Sequence, residues 1–97
     1  MPYCVPDDVK KIIDTSFEDP DITAMISVAD AEMNERDIAV SPGVRKQISM
    51  LIAASLIGMN DTRSHAVGVD ETKPKPNWRK LAESLISNTM KPSGKRG

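Results

Sequence analysis

Residues 48–60 (ISMLIAASLIGMN) carry no charged side chain, in a chain of only 97 residues. Read as a helix, the segment is apolar on nearly every side, and such a helix has to be covered all round. It is too short to span a bilayer, which takes about 20 apolar residues. A chain of this length has little material of its own to wrap around it. We therefore expect another copy of the protein to cover the face that carries Met50, Ala53 and Ile57.

Length and composition are those of one small soluble domain. Hydrophobic residues make up 39% and charged residues 28% of the chain, which is ordinary for a folded protein and argues against disorder. The one cysteine, Cys4, cannot form an internal disulfide, which is usual in a reducing compartment. The N-terminal sequence MPYCVPDD lacks the basic segment and apolar core of a secretory signal. We expect a cytoplasmic protein in which Cys4 is a small buried side chain.

Prolines and capping residues mark where helices begin. Asp19-Pro20 and Ser41-Pro42 each join a capping residue to a proline at the first helical position, Pro6 opens a shorter helix, and Asn77 caps the last. The sequence predicts an all-α fold, a small bundle of four helices at about 6–14, 20–37, 42–60 and 78–89. A long polar loop, 61–76, precedes the last helix and has a brief extended piece at 65–69. Residues 1–89 form the helical domain, and 90–97 form a flexible basic tail.

The second and fourth predicted helices are patterned differently. The core face of the second carries Ile22, Met25, Ile26, Ala29 and Met33. Its opposite face carries the small residues Ala24, Ser27, Val28 and Ala31. That face suits either close contact with a partner or exposure to solvent. The fourth helix directs Trp78, Leu81, Ala82 and Leu85 inward, and its Arg79 and Glu83, one turn apart, are expected to pair.

Charge is spread unevenly along the chain. Residues 1–40 hold ten acids and three bases, whereas residues 41–97 hold four acids and ten bases. Oppositely charged halves suit a protein that packs head to tail against its own kind. Arg45 and Lys46 lie in the first turns of the third helix, where the helix dipole disfavours cations. They either contact a partner or belong to a solvated helix end.

The sequence has no motif that would form a catalytic or metal-binding site. One histidine, His65, lies in a polar loop, and no motif connects it with Cys4. Capping explains the acids at 18–21 better than a calcium loop does. The sequence has no Gly-rich phosphate loop and no Cys/His quartet for zinc. We expect no enzymatic activity, no cofactor, and neither catalytic nor metal-binding residues.

The order of segments along the chain is more distinctive than any single motif. In sequence they are Tyr3-Cys4-x-x-Asp7-Asp8-Val9, then Ile26-x-x-Ala29-x-Ala31-Glu32-Met33, then a Pro-initiated apolar helix, a loop with Val67-Gly68, and Trp78-Arg79-Lys80-Leu81-Ala82-Glu83-Ser84-Leu85. Over nearly its whole length the chain resembles the small head–tail connector (head-completion or portal-adaptor) proteins of tailed bacteriophages and prophages. It departs from them in the loop, where Lys73-Pro74-Lys75-Pro76 replaces a polar, Tyr-containing stretch.

The resemblance implies an all-α structural virion protein. It would assemble as a ring below the portal, extend the DNA channel and join the capsid to the tail. Its partners would be other copies of itself, the portal protein, a tail-side connector or stopper protein, and DNA that passes without its sequence being read. No membrane is involved. The protein would be found in the host cytoplasm during assembly and then at the head–tail junction of the virion.

These considerations assign candidate contact residues. We expect the interface between copies to use Ala24, Ser27, Ala31, Asp30, Glu32, Glu35, Arg45, Lys46, Met50, Ile57, Arg79 and Lys80. In this hypothesis the acids of one copy face the bases of the next. We expect the portal or the DNA channel to be contacted by Arg63, Lys73, Lys75, Lys91, Lys95 and Arg96.

Two other functions fit the same residues. One is a small helical nucleic-acid-binding regulator that uses the third helix and the basic tail. The chain as a whole is slightly acidic, however, and no helix combines basic with base-reading side chains. The other is a helical adaptor that binds a peptide in a groove beside Met50 and Ile57.

Overall fold

Four helices make up most of the fold, as the sequence predicts. The computed structural model of the protein describes residues 3–70 and 72–89, so the predicted basic tail at 90–97 lies outside the described residues. The elements are α1 (Pro6–Val9), β1 (Ile13–Asp14), α2 (Asp19–Glu35), α3 (Pro42–Asn60), β2 (His65–Ala66) and α4 (Trp78–Thr89). The two strands are only two residues long each, and the all-α class is confirmed.

Helix α3 is the centre of the bundle. Helices α2 and α4 both pack against it, and α1 contacts α2 and α3. Its charge-free part supplies much of the core, with Ile48, Ile52 and Ile57 fully buried. The side of α2 that faces α3 buries Ile22, Ile26, Ala29 and Met33, as predicted. Within the described residues, no helix combines the length and apolarity needed to cross a membrane.

Caps predicted from the sequence are present at the starts of α3 and α4. The Ser41 hydroxyl oxygen accepts a hydrogen bond from the Val44 amide (3.4 Å), and Asn77 Oδ1 accepts one from the Lys80 amide (3.0 Å). Helix α2 begins one residue earlier than predicted, because Glu18 and not Asp19 occupies the capping position.

The end of α2 is a Schellman motif that the sequence did not reveal. The Ile38 amide donates to the Met33 carbonyl (3.2 Å), and the Asp37 amide donates to the Asn34 carbonyl (3.1 Å). Asp37 has a φ of 54°, which the left-handed turn of this motif requires. The predicted helix therefore ends at Glu35 and not at residue 37, and Ile38 turns back into the core.

Helix α1 is much shorter than the predicted 6–14, because the chain leaves the helix after Val9 to form β1. Ile13 and Asp14 pair antiparallel with Ala66 and His65, which confirms an extended piece at the start of the 65–69 segment. Ile13 is fully buried in this arrangement. Strand pairing and the burial of Ile13 prevail over the local preference for helix.

On α4, the predicted inward residues Trp78 and Ala82 are buried and Leu85 is half-buried, whereas Leu81 is 51% exposed. Ile86 is also buried, although it was not predicted to face inward. Trp78, Ala82 and Ile86 have the spacing i, i+4, i+8 and form a narrow stripe along α4. Leu81 lies about 100° round the helix from Ala82. One supporting helix, α3, covers only the stripe, so Leu81 remains on the surface.

Candidate functional site

One side of helix α2 is not covered by any other part of the chain that the structure describes. The side opposite the core carries the exposed residues Ala24, Ser27, Val28 and Ala31, which we call the α2 outer stripe. Val28 at its centre is 49% exposed, and the exposed acids Asp21 and Glu35 lie near its two ends. Small side chains let another surface approach the helix backbone closely. A solvated helix face more commonly carries long charged side chains.

A groove lies between α1 and α3 and has a volume of about 580 Å³. Its lining includes Asp8, Lys11, Ile12, Lys46, Met50 and Leu51, and we call it the α1–α3 groove. Ile12, Met50 and Leu51 are half-buried and give it an apolar floor. The predicted groove beside Met50 is therefore present, but Ile57 does not line it.

Two ammonium groups share one carboxylate at the edge of this groove. Asp8 Oδ1 lies 3.4 Å from Lys46 Nζ and 3.8 Å from Lys11 Nζ. Asp8 Oδ2 accepts a hydrogen bond from the Val5 amide (3.0 Å). That amide, followed by the Lys46 ammonium, lowers the pKa of Asp8. With two cations and one anion, the rim of the groove carries a net positive charge.

The prediction that Ala53 and Ile57 are kept for a neighbouring copy is wrong, because both are fully buried within the chain. Ile12 lines the groove with Met50, and the Thr15 hydroxyl donates to Asp61 just after α3 ends. The chain between Ile12 and Thr15 therefore runs along this side of α3 and covers it. Of the predicted outward face, only Met50 remains accessible.

Asp30 was also predicted to face another copy, but it does not. Its side chain is buried and faces α3 and the N-terminal segment. Asp30 Oδ1 accepts from the Ser49 hydroxyl (2.7 Å), and Oδ2 accepts from the Tyr3 amide (3.0 Å). Cys4 Sγ lies 3.2 Å from the same Ser49 hydroxyl. Cys4 is buried, as predicted, and burial raises the pKa of its thiol.

Glu32 and Arg79, an acid and a base that were predicted to face other copies, face each other within one chain. Glu32 and Arg79 form an ion pair that connects α2 to α4, and Arg36 donates two hydrogen bonds to Glu83 (2.8 and 2.9 Å). Arg79 also lies 3.9 Å from Glu83, as the spacing of one turn predicts. These four side chains connect the two outer helices of the bundle. Glu32 and Arg79 remain partly exposed, and their contact with another copy stays a prediction.

Arg45 likewise has partners inside the molecule, and its contact with another copy stays a prediction. Its guanidinium lies 5.1 Å from the centre of the Tyr3 ring and donates to the Val40 carbonyl (3.2 Å). The other predicted interface charges, Glu35, Lys46 and Lys80, are on the surface. The predicted interface residues that lie fully on the surface are therefore Ala24, Ser27 and Ala31 of the α2 outer stripe, with Glu35, Lys46 and Lys80, and Met50 is half-buried at the groove.

The residues predicted to contact a portal or DNA are scattered. Lys75 Nζ donates to the Gly58 carbonyl (3.2 Å) and so caps the end of α3, and its contact with a portal or DNA stays a prediction. Arg63 and Lys73 are exposed. Lys91, Lys95 and Arg96 lie outside the described residues.

A polar pocket centred on Asp61 was not predicted. It has a volume of about 400 Å³ and is lined by Asp14, Thr15, Ser16, Asp61, Arg63 and His65. The buried Asp61 carboxylate accepts from the Thr15 hydroxyl and from the amides of Ser16 and Arg63. These bonds tie the segment after β1 to the end of α3. The signal available in the sequence was an Asp directly after an apolar helix, which also fits an ordinary loop.

Comparison with known proteins gives no relative from which a function can be transferred. No protein-family model matches the chain, and neither the curated proteins nor the solved structures provide a match. The surfaces described above are therefore the structural features on which a function can be proposed.

Proposed function

We propose that the chain is a structural subunit of a virus particle, which assembles as a ring below the portal of a tailed bacteriophage, extends the DNA channel and joins the capsid to the tail. The observation that carries this proposal is the α2 outer stripe. It spans residues 24–31, about half of a 17-residue helix, and exposes Val28 between small residues. In a small protein, a helix face of this kind is suited to burial against another subunit.

The internal use of charged residues supports a structural role. Asp30 and the ion pairs between α2 and α4 hold the helices in one arrangement, so the surfaces presented to neighbours are held in a defined geometry. A ring requires this, because a small error in the contact angle prevents closure. The basic sequence at 90–97 would engage the portal or the DNA channel.

Deleting the gene from the bacteriophage or prophage that encodes the chain tests the proposal. A connector is required after DNA packaging, so we expect DNA-filled heads and separate tails in electron micrographs of the lysate. A plasmid copy of the gene should restore joined particles. Normal tailed particles from the deletion strain would show that the protein is not a connector.

The nucleic-acid-binding regulator makes a different prediction in a mobility-shift experiment on duplex DNA. A connector that lets DNA pass should bind weakly, without sequence preference, and lose binding as salt is raised. Tight binding that depends on DNA sequence and persists at moderate salt would favour the regulator.

A further inference from the structure

The α1–α3 groove has the features of a docking surface for an apolar side chain with an acidic neighbour. Its floor is formed by Ile12, Met50 and Leu51, which the chain leaves half-buried. Its volume of about 580 Å³ is large enough for several side chains. Lys11 and Lys46 stand at the rim, and they outnumber the one carboxylate, Asp8, that lies between them. An occupant that brings a further carboxylate would balance this charge.

The outer side of α2 has the complementary properties. Helix α2 contains no lysine or arginine, whereas α3 contains no aspartate or glutamate. Val28 projects from the middle of the α2 outer stripe, and Asp21 and Glu35 lie seven residues before and after it. Seven residues are about two helical turns, so both acids lie on the same side as Val28, about 10 Å away from it. Neighbouring alanines allow the helix to approach a groove closely.

From these two surfaces we infer that the α1–α3 groove of one copy binds the α2 outer stripe of a second copy. Val28 enters the apolar floor beside Met50, and Glu35 pairs with Lys46, because Asp21 already accepts a hydrogen bond from the Glu18 amide. The groove and the stripe are different surfaces of one molecule, so each copy offers one to the neighbour on each side. Such a contact is heterologous and repeats, as a ring requires. The inference rests on the proposed function and deepens it by naming the two contacting surfaces.

Cysteine cross-linking tests the contact directly. The variants Val28→Cys and Met50→Cys are purified separately, mixed, and oxidised mildly, and disulfide-linked dimers are quantified by mass spectrometry. We expect the mixture to give a yield of the mixed dimer several-fold above that from Met50→Cys with Ser87→Cys, where residue 87 is an exposed position on α4. Wild-type protein provides a second control, because Cys4 is 3% exposed. Equal yields from the two mixtures, or no mixed dimer in either, would overturn the inference.

Charge reversal provides an independent measurement. Lys46→Glu should lower the assembled fraction measured by light scattering at low salt, and adding Glu35→Lys to the same chain should restore it. Lys73→Glu is the matched control, because Lys73 is an exposed lysine outside the candidate interface between copies. Circular dichroism checks that each variant is folded. An equal response to Lys46→Glu and Lys73→Glu contradicts the proposed contact.

The two proposals fail in distinguishable ways. If the deletion strain accumulates DNA-filled heads but Val28 and Met50 do not cross-link above the control, the protein is a connector that uses other surfaces. If the deletion strain makes normal particles while the cross-link forms, the contact between copies is real and serves a different function.

Discussion

At the scale of single residues, Asp30 and Asp61 connect the N-terminal part of the chain to α3. Asp30 joins Tyr3 to Ser49, and Asp61 joins Thr15 and Ser16 to the end of α3. Each carboxylate is buried and accepts hydrogen bonds from backbone or hydroxyl donors distant in sequence. Together they explain how segments with little regular structure stay in fixed positions on the helices.

Removal of the Asp30 carboxylate should destabilise the protein. In Asp30→Ala the Ser49 hydroxyl and the Tyr3 amide lose their acceptors in a buried place, and we expect the free energy of unfolding to fall by about 1–3 kcal/mol. Asp30→Asn keeps one acceptor oxygen and should lose less. Urea unfolding followed by circular dichroism measures both. Ser27→Ala on the exposed side of α2 is the control, with an expected change within about 0.5 kcal/mol.

Acid should weaken the fold through Asp61. Its hydrogen bond from the Thr15 hydroxyl, followed by those from the Ser16 and Arg63 amides, holds its pKa below the usual 3.8. Because the folded pKa is the lower one, the contribution is complete above the unfolded pKa and is lost as pH falls from about 4 through the folded value. We expect the difference in unfolding free energy between wild type and Asp61→Asn to shrink over this range. A difference that is constant or grows on acidification would contradict this account.

At the scale of helices, the contact between α3 and α4 depends on a glycine. A Cβ atom at Gly58 would lie 3.2 Å from Cζ3 of the buried Trp78 ring, whereas one at Gly43 would meet nothing within 4 Å. Gly43→Ala should therefore raise the free energy of unfolding by about 0.4–1 kcal/mol. Gly58→Ala should lower it, because the clash with Trp78 outweighs the gain in helix propensity. Chemical unfolding of the two variants measures the contrast, and equal stabilisation by both would show that α4 can shift freely.

At the scale of the whole molecule, one core centred on α3 should make unfolding a single step. Ile52 is fully buried in this core, so Ile52→Ala should lower the free energy of unfolding by about 2–5 kcal/mol. The fluorescence of Trp78 reports on α4, and far-ultraviolet circular dichroism reports on all helices. The two signals should change together in wild type and variant. Separate transitions would mean that α4 unfolds independently of the rest.

The sequence correctly predicted those features that depend on a few neighbouring residues. The caps Ser41 and Asn77 act on amides three residues away, and the buried side of α2 follows from helical spacing alone. It predicted the wrong structure where pairing with a distant segment replaces the local helix. The predicted first helix loses its second half because Ile13 pairs with Ala66, a partner that no local pattern indicates.

The sequence by itself determined the helical class, the starts of α3 and α4, and the small side chains on the outer face of α2, because capping and periodicity are local properties. Only the tertiary structure decided which surfaces remain for a partner. Ser49 and Asp30 are 19 positions apart, and Arg79 and Glu32 are 47 positions apart. Whether such polar groups bond within one chain or between copies depends on the fold, which brings residues distant in sequence together. The same folding covers Ile57 and leaves Val28 exposed.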